Sequence, residues 1–145
     1  QIMYLDGDRS AAIRDDGFTL YKGSQVPKEV ETIKVDKEIV STFYDDNIIG
    51  LVFKNGDKDK PYTMRGYSTD GSLKFEKKFN IPYTTIKASD GNILLYNSSQ
   101  ISVMNSRGVE KYSGTVDGTI SDFIKTGWNR YLLVLDNGVD VIKLS

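Results

Sequence analysis

Apolar residues in this chain fall in short clusters rich in Ile, Val, Phe and Tyr, and Gly, Asn, Asp or Ser punctuates them roughly every 6 to 12 residues. Clusters this short, made of β-branched and aromatic side chains between turn formers, are strands. No stretch of a dozen residues keeps a helical period, and Pro27, Pro61 and Pro82 fall in connections, so the chain is expected to be all-β. The order of strands and turns itself repeats. Residues 39–80 read as strands from Val40 to Tyr44, Ile48 to Lys54, Tyr62 to Ser68 and Ser72 to Asn80. Residues 83–116 repeat that order from Thr84 to Lys87, Ile93 to Tyr96, Gln100 to Met104 and Val109 to Val116. Residues 120–145 begin another copy, Ser121 to Lys125, Tyr131 to Leu135 and Val139 to Leu144, and lack its fourth strand. A fainter copy fills residues 1–36, with Ile2 to Leu5, Ser10 to Arg14, Phe18 to Tyr21 and Val30 to Val35. The turn residues Asp8, Asn47, Asn92 and Asn129 mark a period of about 40 residues.

Four antiparallel strands per period of this length is the signature of β-propeller blades, each of which hides its faces only against neighbouring blades. The second strands, Ile48–Phe53, Ile93–Tyr96 and Tyr131–Leu135, are apolar throughout, as strands covered on both faces must be. The fourth strands carry charge, including Lys74, Lys77 and Lys78, as exposed edges require. The expected fold is therefore one partial propeller spanning residues 1–145, with about three full blades and a three-stranded last blade. Propellers usually complete the last blade with a strand from the other end of the chain. That strand is expected upstream of Gln1, which would make these residues the C-terminal half of a longer propeller. Two apolar inter-blade faces are then left to pair with a second copy or with the missing half. The competing arrangement, a small closed four-bladed ring or a sandwich, predicts a monomer without exposed apolar faces.

Composition removes most chemistries. The chain has no Cys and no His, so no Cys/His nucleophile pair, Ser-His-Asp triad, disulfide or usual zinc site is available. A formal charge of −1, with both signs interspersed, gives no footprint for nucleic acid. No apolar run reaches the roughly 18 residues that would span a bilayer. No catalytic residue, cofactor site or metal site is assigned from the sequence.

The runs Ile48–Asn55, Gly66–Gly71 and Asn129–Leu144 resemble the C-terminal part of an uncharacterised family of propeller-like proteins from Gram-positive bacteria. The resemblance covers nearly the whole chain and rests on strand and turn residues. It implies a parent protein with one N-terminal membrane-spanning helix, its repeats outside the cytoplasm at the cell surface, and no assigned activity. Trp128 stands where relatives carry an ordinary apolar residue. The segment Tyr67–Phe75 is similar to the repeat of quinoprotein propellers, where Gly ends a hairpin and an aromatic four residues later packs between blades; Gly71 and Phe75 take those places, and no quinone site follows.

Three groups of residues bear on function. The acidic turns Asn55–Asp59 and Asp6–Asp8 fail the calcium-loop spacing: Lys60 and Gly66 stand at the sixth and twelfth places of the first, Ala11 and Gly17 at those of the second. Asp15/Asp16, Asp45/Asp46, Asp90 and Asp122 supply carboxylates for an alternative reading as a glycan-directed hydrolase or lyase, but no spacing forces two of them into one pocket. Trp128, the only Trp, lies in the Gly127–Asn129 turn with Arg130 and Tyr131 beside it; these three form the candidate partner surface, the alternative for Trp128 being packing onto a neighbouring blade. The leading expectation is a noncatalytic extracytoplasmic scaffold or binding module for protein or cell-wall partners.

Overall fold

The computed structural model describes residues 1–5, 7–23, 25–45 and 47–144, and these form fifteen β-strands and no helix. The first sheet contains β1 (Ile2–Tyr4), β2 (Arg9–Arg14), β3 (Gly17–Lys22) and β4 (Lys28–Lys34). The second contains β5 (Ile39–Tyr44), β6 (Ile49–Lys54), β7 (Tyr62–Tyr67) and β8 (Leu73–Phe79). The third contains β9 (Thr85–Ser89), β10 (Asn92–Tyr96), β11 (Gln100–Asn105) and β12 (Glu110–Thr115). β13 (Ile120–Gly127), β14 (Arg130–Leu135) and β15 (Gly138–Lys143) make a three-stranded fourth sheet. Every sheet is an antiparallel meander in chain order, as the repeat of short strands and tight turns requires.

Two compact units divide the chain, Gln1–Asn80 and Ile81–Ser145. In the first, one face of the first sheet, with Met3, Leu5, Ala11, Phe18 and Leu20, packs on Ile49, Leu51 and Tyr67 of the second. Phe18 meets Tyr67 edge-on at 5.2 Å, the arrangement their ring quadrupoles favour. In the second unit, Leu94, Tyr96, Ile101 and Val103 pack on Phe123, Tyr131 and Leu133. β10 is buried at every position, and β6 at all but its last. β4 and β12 are largely exposed and carry charge, as outer edges do.

Each four-stranded sheet has a β-bulge where its third strand meets its fourth. The pairing skips Val30 on β4, Lys74 on β8 and Lys111 on β12. A bulge adds local twist and re-aims one side chain, so the outer strand presents a bent rather than a flat edge. A second device holds the second sheet together. Phe43, Gly50, Gly66 and Phe75 are paired in one row across β5, β6, β7 and β8. The Phe43 ring lies over Gly50 and the Phe75 ring over Gly66, so that a Cβ on either glycine would come within about 2.2 Å of ring carbons. Phe75 thus covers a glycine of its own sheet, in contrast to the inter-blade role its place in the quinoprotein-like segment suggests. Gly71 does sit in the β7–β8 hairpin turn, at φ +93°, a backbone conformation that glycine adopts without strain.

Gly50→Ala is accordingly expected to cost about 1–3 kcal/mol by overpacking against Phe43. Gly127→Ala, where a Cβ meets nothing within 4 Å, should be close to neutral. Urea unfolding of the two variants beside the parent chain measures the difference.

Candidate functional site

The β13–β14 hairpin closes over two residues, Trp128 and Asn129, between the paired Gly127 and Arg130. Asn129 takes φ +49°, in the left-handed region that Asn tolerates better than most residues. The tight turn lifts Trp128 clear of the sheet, and its side chain is 86% exposed. The bulge in β12 turns Lys111 toward this tip. Its ammonium donates to Asn129 Oδ1 at 2.7 Å and stands 5.9 Å from the centroid of the Trp128 ring. One lysine therefore ties the turn to the neighbouring sheet and leaves the indole largely open to solvent.

Arg130 is exposed beside Trp128, but Tyr131 is not part of that surface. Successive side chains of a strand point to opposite faces, so Tyr131 turns inward. It is fully buried, 5.6 Å from the Phe123 ring, and its hydroxyl donates to the buried Asn92 Oδ1 at 3.0 Å. Asn92 in turn donates to the Met104 carbonyl at 3.3 Å. Burial pushes the Tyr131 hydroxyl above its ordinary pKa, as expected where the charged form is poorly solvated. The candidate surface consists of Trp128, Arg130, Asn129 and Lys111, and the last of these was visible in the sequence only as an edge charge.

A second polar group lies between the third and fourth sheets. Asp122 accepts from Lys87 Nζ at 3.0 Å and from the Tyr96 hydroxyl at 3.2 Å, while the Lys87 ammonium stands 5.6 Å from the Tyr96 ring centroid. The Lys87 hydrogen bond, helped by the Phe123 N–H, holds the Asp122 carboxyl below its usual pKa. Asp90 pairs with Lys125, whose ammonium also donates to the Asp90 carbonyl at 2.8 Å. Asp16 pairs with Arg14. Asp122, Asp90 and Asp16 thus each face a cation, and no two of them share a contact.

In the Asn55–Asp59 loop, Asn55 Oδ1 accepts from the Asp57 N–H and Asp57 Oδ1 from the Asp59 and Lys60 N–H groups. The side-chain oxygens thus close the loop's own turns, and the backbone hydrogen bonds lower the Asp57 pKa. The Asp6–Asp8 turn and the Asp45/Asp46 pair involve Asp6 and Asp46, which lie outside the described residues. Among the described residues no group of three or more acidic side chains is placed to hold a metal ion, and no helix is long and apolar enough to cross a membrane.

The chain belongs to the Family of unknown function (DUF5711), whose profile matches residues 1–144. No curated protein sequence matches it. Among solved structures it is similar to HIRA(644-1017), with 12% identity and a TM-score of 0.69 over 97% of this chain and 51% of that one. It is similar to the WD40 β-propeller domain of Doa1, with 13% identity and a TM-score of 0.61 over 99% and 50% of the two chains. It is also similar to BBS1N, solved in complex with ARL6DN, with 13% identity and a TM-score of 0.59 over 94% and 47%. At these identities the likeness is one of fold, and it makes the four sheets blades of the propeller kind. The chain spans about half the length of the structures it matches.

Tyr131→Phe leaves the buried Asn92 Oδ1 without its donor and is expected to destabilise the chain by about 1–3 kcal/mol in urea. The ion pair of Asp122 and Lys87 has an acid signature. Because the folded carboxyl titrates below the unfolded value of about 3.9, its contribution is complete above that pH and is lost as pH falls through the folded value. Asp122→Asn should remove that part of the acid limb. The effect stays under about 1 kcal/mol, since both side chains are partly exposed, and unfolding midpoints at pH 6 and pH 3 report it.

Proposed function

We propose that the chain is a noncatalytic binding module, part of an extracytoplasmic scaffold, and that it engages a protein partner through the Trp128 turn. The observation that carries this reading is a single indole, 86% exposed, on a turn fixed by the hydrogen bond from Lys111. Tryptophan supplies large contact area with few rotors, and arginine and tryptophan are the residues on which interface energy concentrates. A turn held by a cross-sheet hydrogen bond loses little freedom on binding, which lowers the cost of association. Propeller neighbours support the class of partner, BBS1N being solved with a protein bound. The cations that face Asp16, Asp90 and Asp122 favour binding over acid–base hydrolysis. The cell-surface setting and the membrane-anchored Gram-positive parent rest on the resemblance of the strand and turn runs from Ile48, Gly66 and Asn129.

Trp128→Ala should leave unfolding within about 0.5 kcal/mol of the parent chain and weaken partner binding by about 2 kcal/mol, or thirtyfold. Proteins retained by the parent chain and by Val26→Ala, an exposed control, but lost from Trp128→Ala identify the partner. As Trp128 is the only Trp, its fluorescence then follows the titration directly. A retained set indifferent to Trp128→Ala and Lys111→Ala removes the turn as the binding site.

A further inference from the structure

We infer that the Trp128 turn is the centre of a positively charged end of the second unit, and that it takes an acidic peptide segment of its partner, whose carboxylates meet Arg107, Lys111 and Arg130 around the indole. This rests on the binding role proposed above for the turn and adds the chemistry of what binds there. In an antiparallel meander the first and third turns fall at one end of the sheet and the second at the other. In the third sheet the turns at residues 90–91 and 106–109 therefore share an end. Two contacts bring the β13–β14 turn to that end: Lys111, near the start of β12, donates to Asn129, and Lys125, near the end of β13, donates to the Asp90 carbonyl. The opposite end holds the connections at residues 97–99, 116–119 and 136–137, where Asp136 Oδ1 accepts from the Thr119 N–H.

Residues 81–145 carry six Lys and Arg and six Asp and Glu, and the hairpins sort them. Arg107, Lys111, Lys125, Arg130 and Lys143 lie at the Trp128 end, against Asp90 and Glu110. Asp90 is taken up by Lys125, and Glu110 accepts from the Ser102 hydroxyl. Lys87 and Asp122 pair with each other, and Asp140 stands midway along β15. Asp117 and Asp136 lie at the opposite end, where the connections contain no Lys or Arg. Among the described residues no carboxylate pairs with Arg107, Lys111, Arg130 or Lys143. Arg130 and Lys143 even stand directly opposite each other across β14 and β15, an apposition of like charges that weakens a sheet.

The occupant follows from charge. Strands of this length separate the two ends by about 20 Å, more than twice the Debye length of about 8 Å at physiological salt, so the acids of one end do not cancel the field of the other. An approaching chain meets the indole in a positive field although the whole protein carries a formal charge of −1. An acidic peptide fits this arrangement. An apolar side chain packs on the ring, and flanking carboxylates accept charge-assisted hydrogen bonds from Arg107, from Arg130 and from the Lys111 ammonium, which gives one N–H to Asn129 and has two more. Single-stranded nucleic acid instead needs a cationic groove with successive stacking rings, and the turn supplies one indole.

Two synthetic peptides serve as probes, one with glutamates flanking a single leucine and one with glutamine in their place, and the fluorescence of Trp128, the only Trp, reads their binding. The glutamate peptide is expected to bind about tenfold or more tightly than the glutamine one. Raising sodium chloride from about 0.03 to about 0.3 M shortens the Debye length about threefold and should weaken that binding about tenfold. Arg107→Gln and Arg130→Gln leave the Lys111–Asn129 hydrogen bond in place and should each weaken it about threefold; urea unfolding checks that both fold. Without peptide, iodide should quench Trp128 several-fold more efficiently than caesium, and the difference should shrink in both variants. Equal binding of the two peptides overturns this inference and leaves the turn as an uncharged docking site. Binding of neither also overturns it, while the Trp128→Ala comparison above still decides whether the turn binds a partner. Polygalacturonate bound in preference to the glutamate peptide puts an acidic glycan at the turn, and self-association abolished by Asp136→Asn puts the acidic end of a second copy there; either result overturns the peptide.

Discussion

A sheet of four strands, each three to seven residues long, has two broad faces and too little thickness to hide either, and the rest of this structure answers to that constraint. β10 shows how far the answer goes: Asn92, Ile93, Leu94, Leu95 and Tyr96 are all buried, although neighbours along the strand point to opposite faces. Each fully buried aliphatic side chain is worth about 1.5–3 kcal/mol relative to exposure, so covering both faces of the middle strands accounts for most of what holds a blade. The repeat is the sequence's record of this requirement. A blade that needs neighbours is copied: β6, β10 and β14 repeat the apolar second strand and β4, β8 and β12 the charged fourth, while in the first sheet the buried strand is β3.

The same constraint sets where polar groups can go. Asn92 and Tyr131 sit inside the second unit because each satisfies the other, and Asn92 also reaches the Met104 carbonyl. A buried amide with its partners in place costs little, whereas one left unpaired costs the full desolvation penalty. At the periphery the logic reverses, and irregularity becomes useful. The bulges that bend β4, β8 and β12 each leave one residue out of the pairing, and on β12 that residue is Lys111. The device that blunts an edge there also aims an ammonium at Asn129 and Trp128. β15 pairs with β14 without a bulge and mixes exposed Val139 and Val141 with Asp140 and Lys143.

Much of the fold was legible because it rests on local signals. Strands fell where β-branched and aromatic clusters lie, and turns such as Asp90–Gly91 and Trp128–Asn129 fell at the expected punctuation. What was not legible is the register. The row of Phe43, Gly50, Gly66 and Phe75 depends on four strands being aligned to the residue, and glycines inside apolar strands look like weaknesses until the rings that fill their missing side chains are placed. Tyr131 was assigned to the surface with Trp128 and Arg130 because the three are adjacent in sequence. The one-residue bulge at Thr126 and the alternation of β14 decide which of them turn inward, and neither is written in composition. Lys111 read as edge protection, which it is; that it also reaches the Trp128 turn follows from the bulge alone.

A strand edge and the Trp128 turn differ in the kind of recognition they permit. A strand edge offers main-chain groups, so affinity there depends on extended geometry and on which side chains line up across the seam, and many sequences can satisfy it. The Trp128 turn offers one exposed side chain next to Asn129, which the Lys111 hydrogen bond holds, so recognition there would depend on what packs on the indole near Lys111 and Arg130. Pairing at a strand edge is governed by the sheet's need to complete itself. The turn has no structural need behind it, because an exposed indole contributes almost nothing to the blade. A large aromatic kept in solvent, on a turn short enough to fix its direction, is a feature that packing among the described residues does not explain, and it is the support for the binding role proposed for this turn.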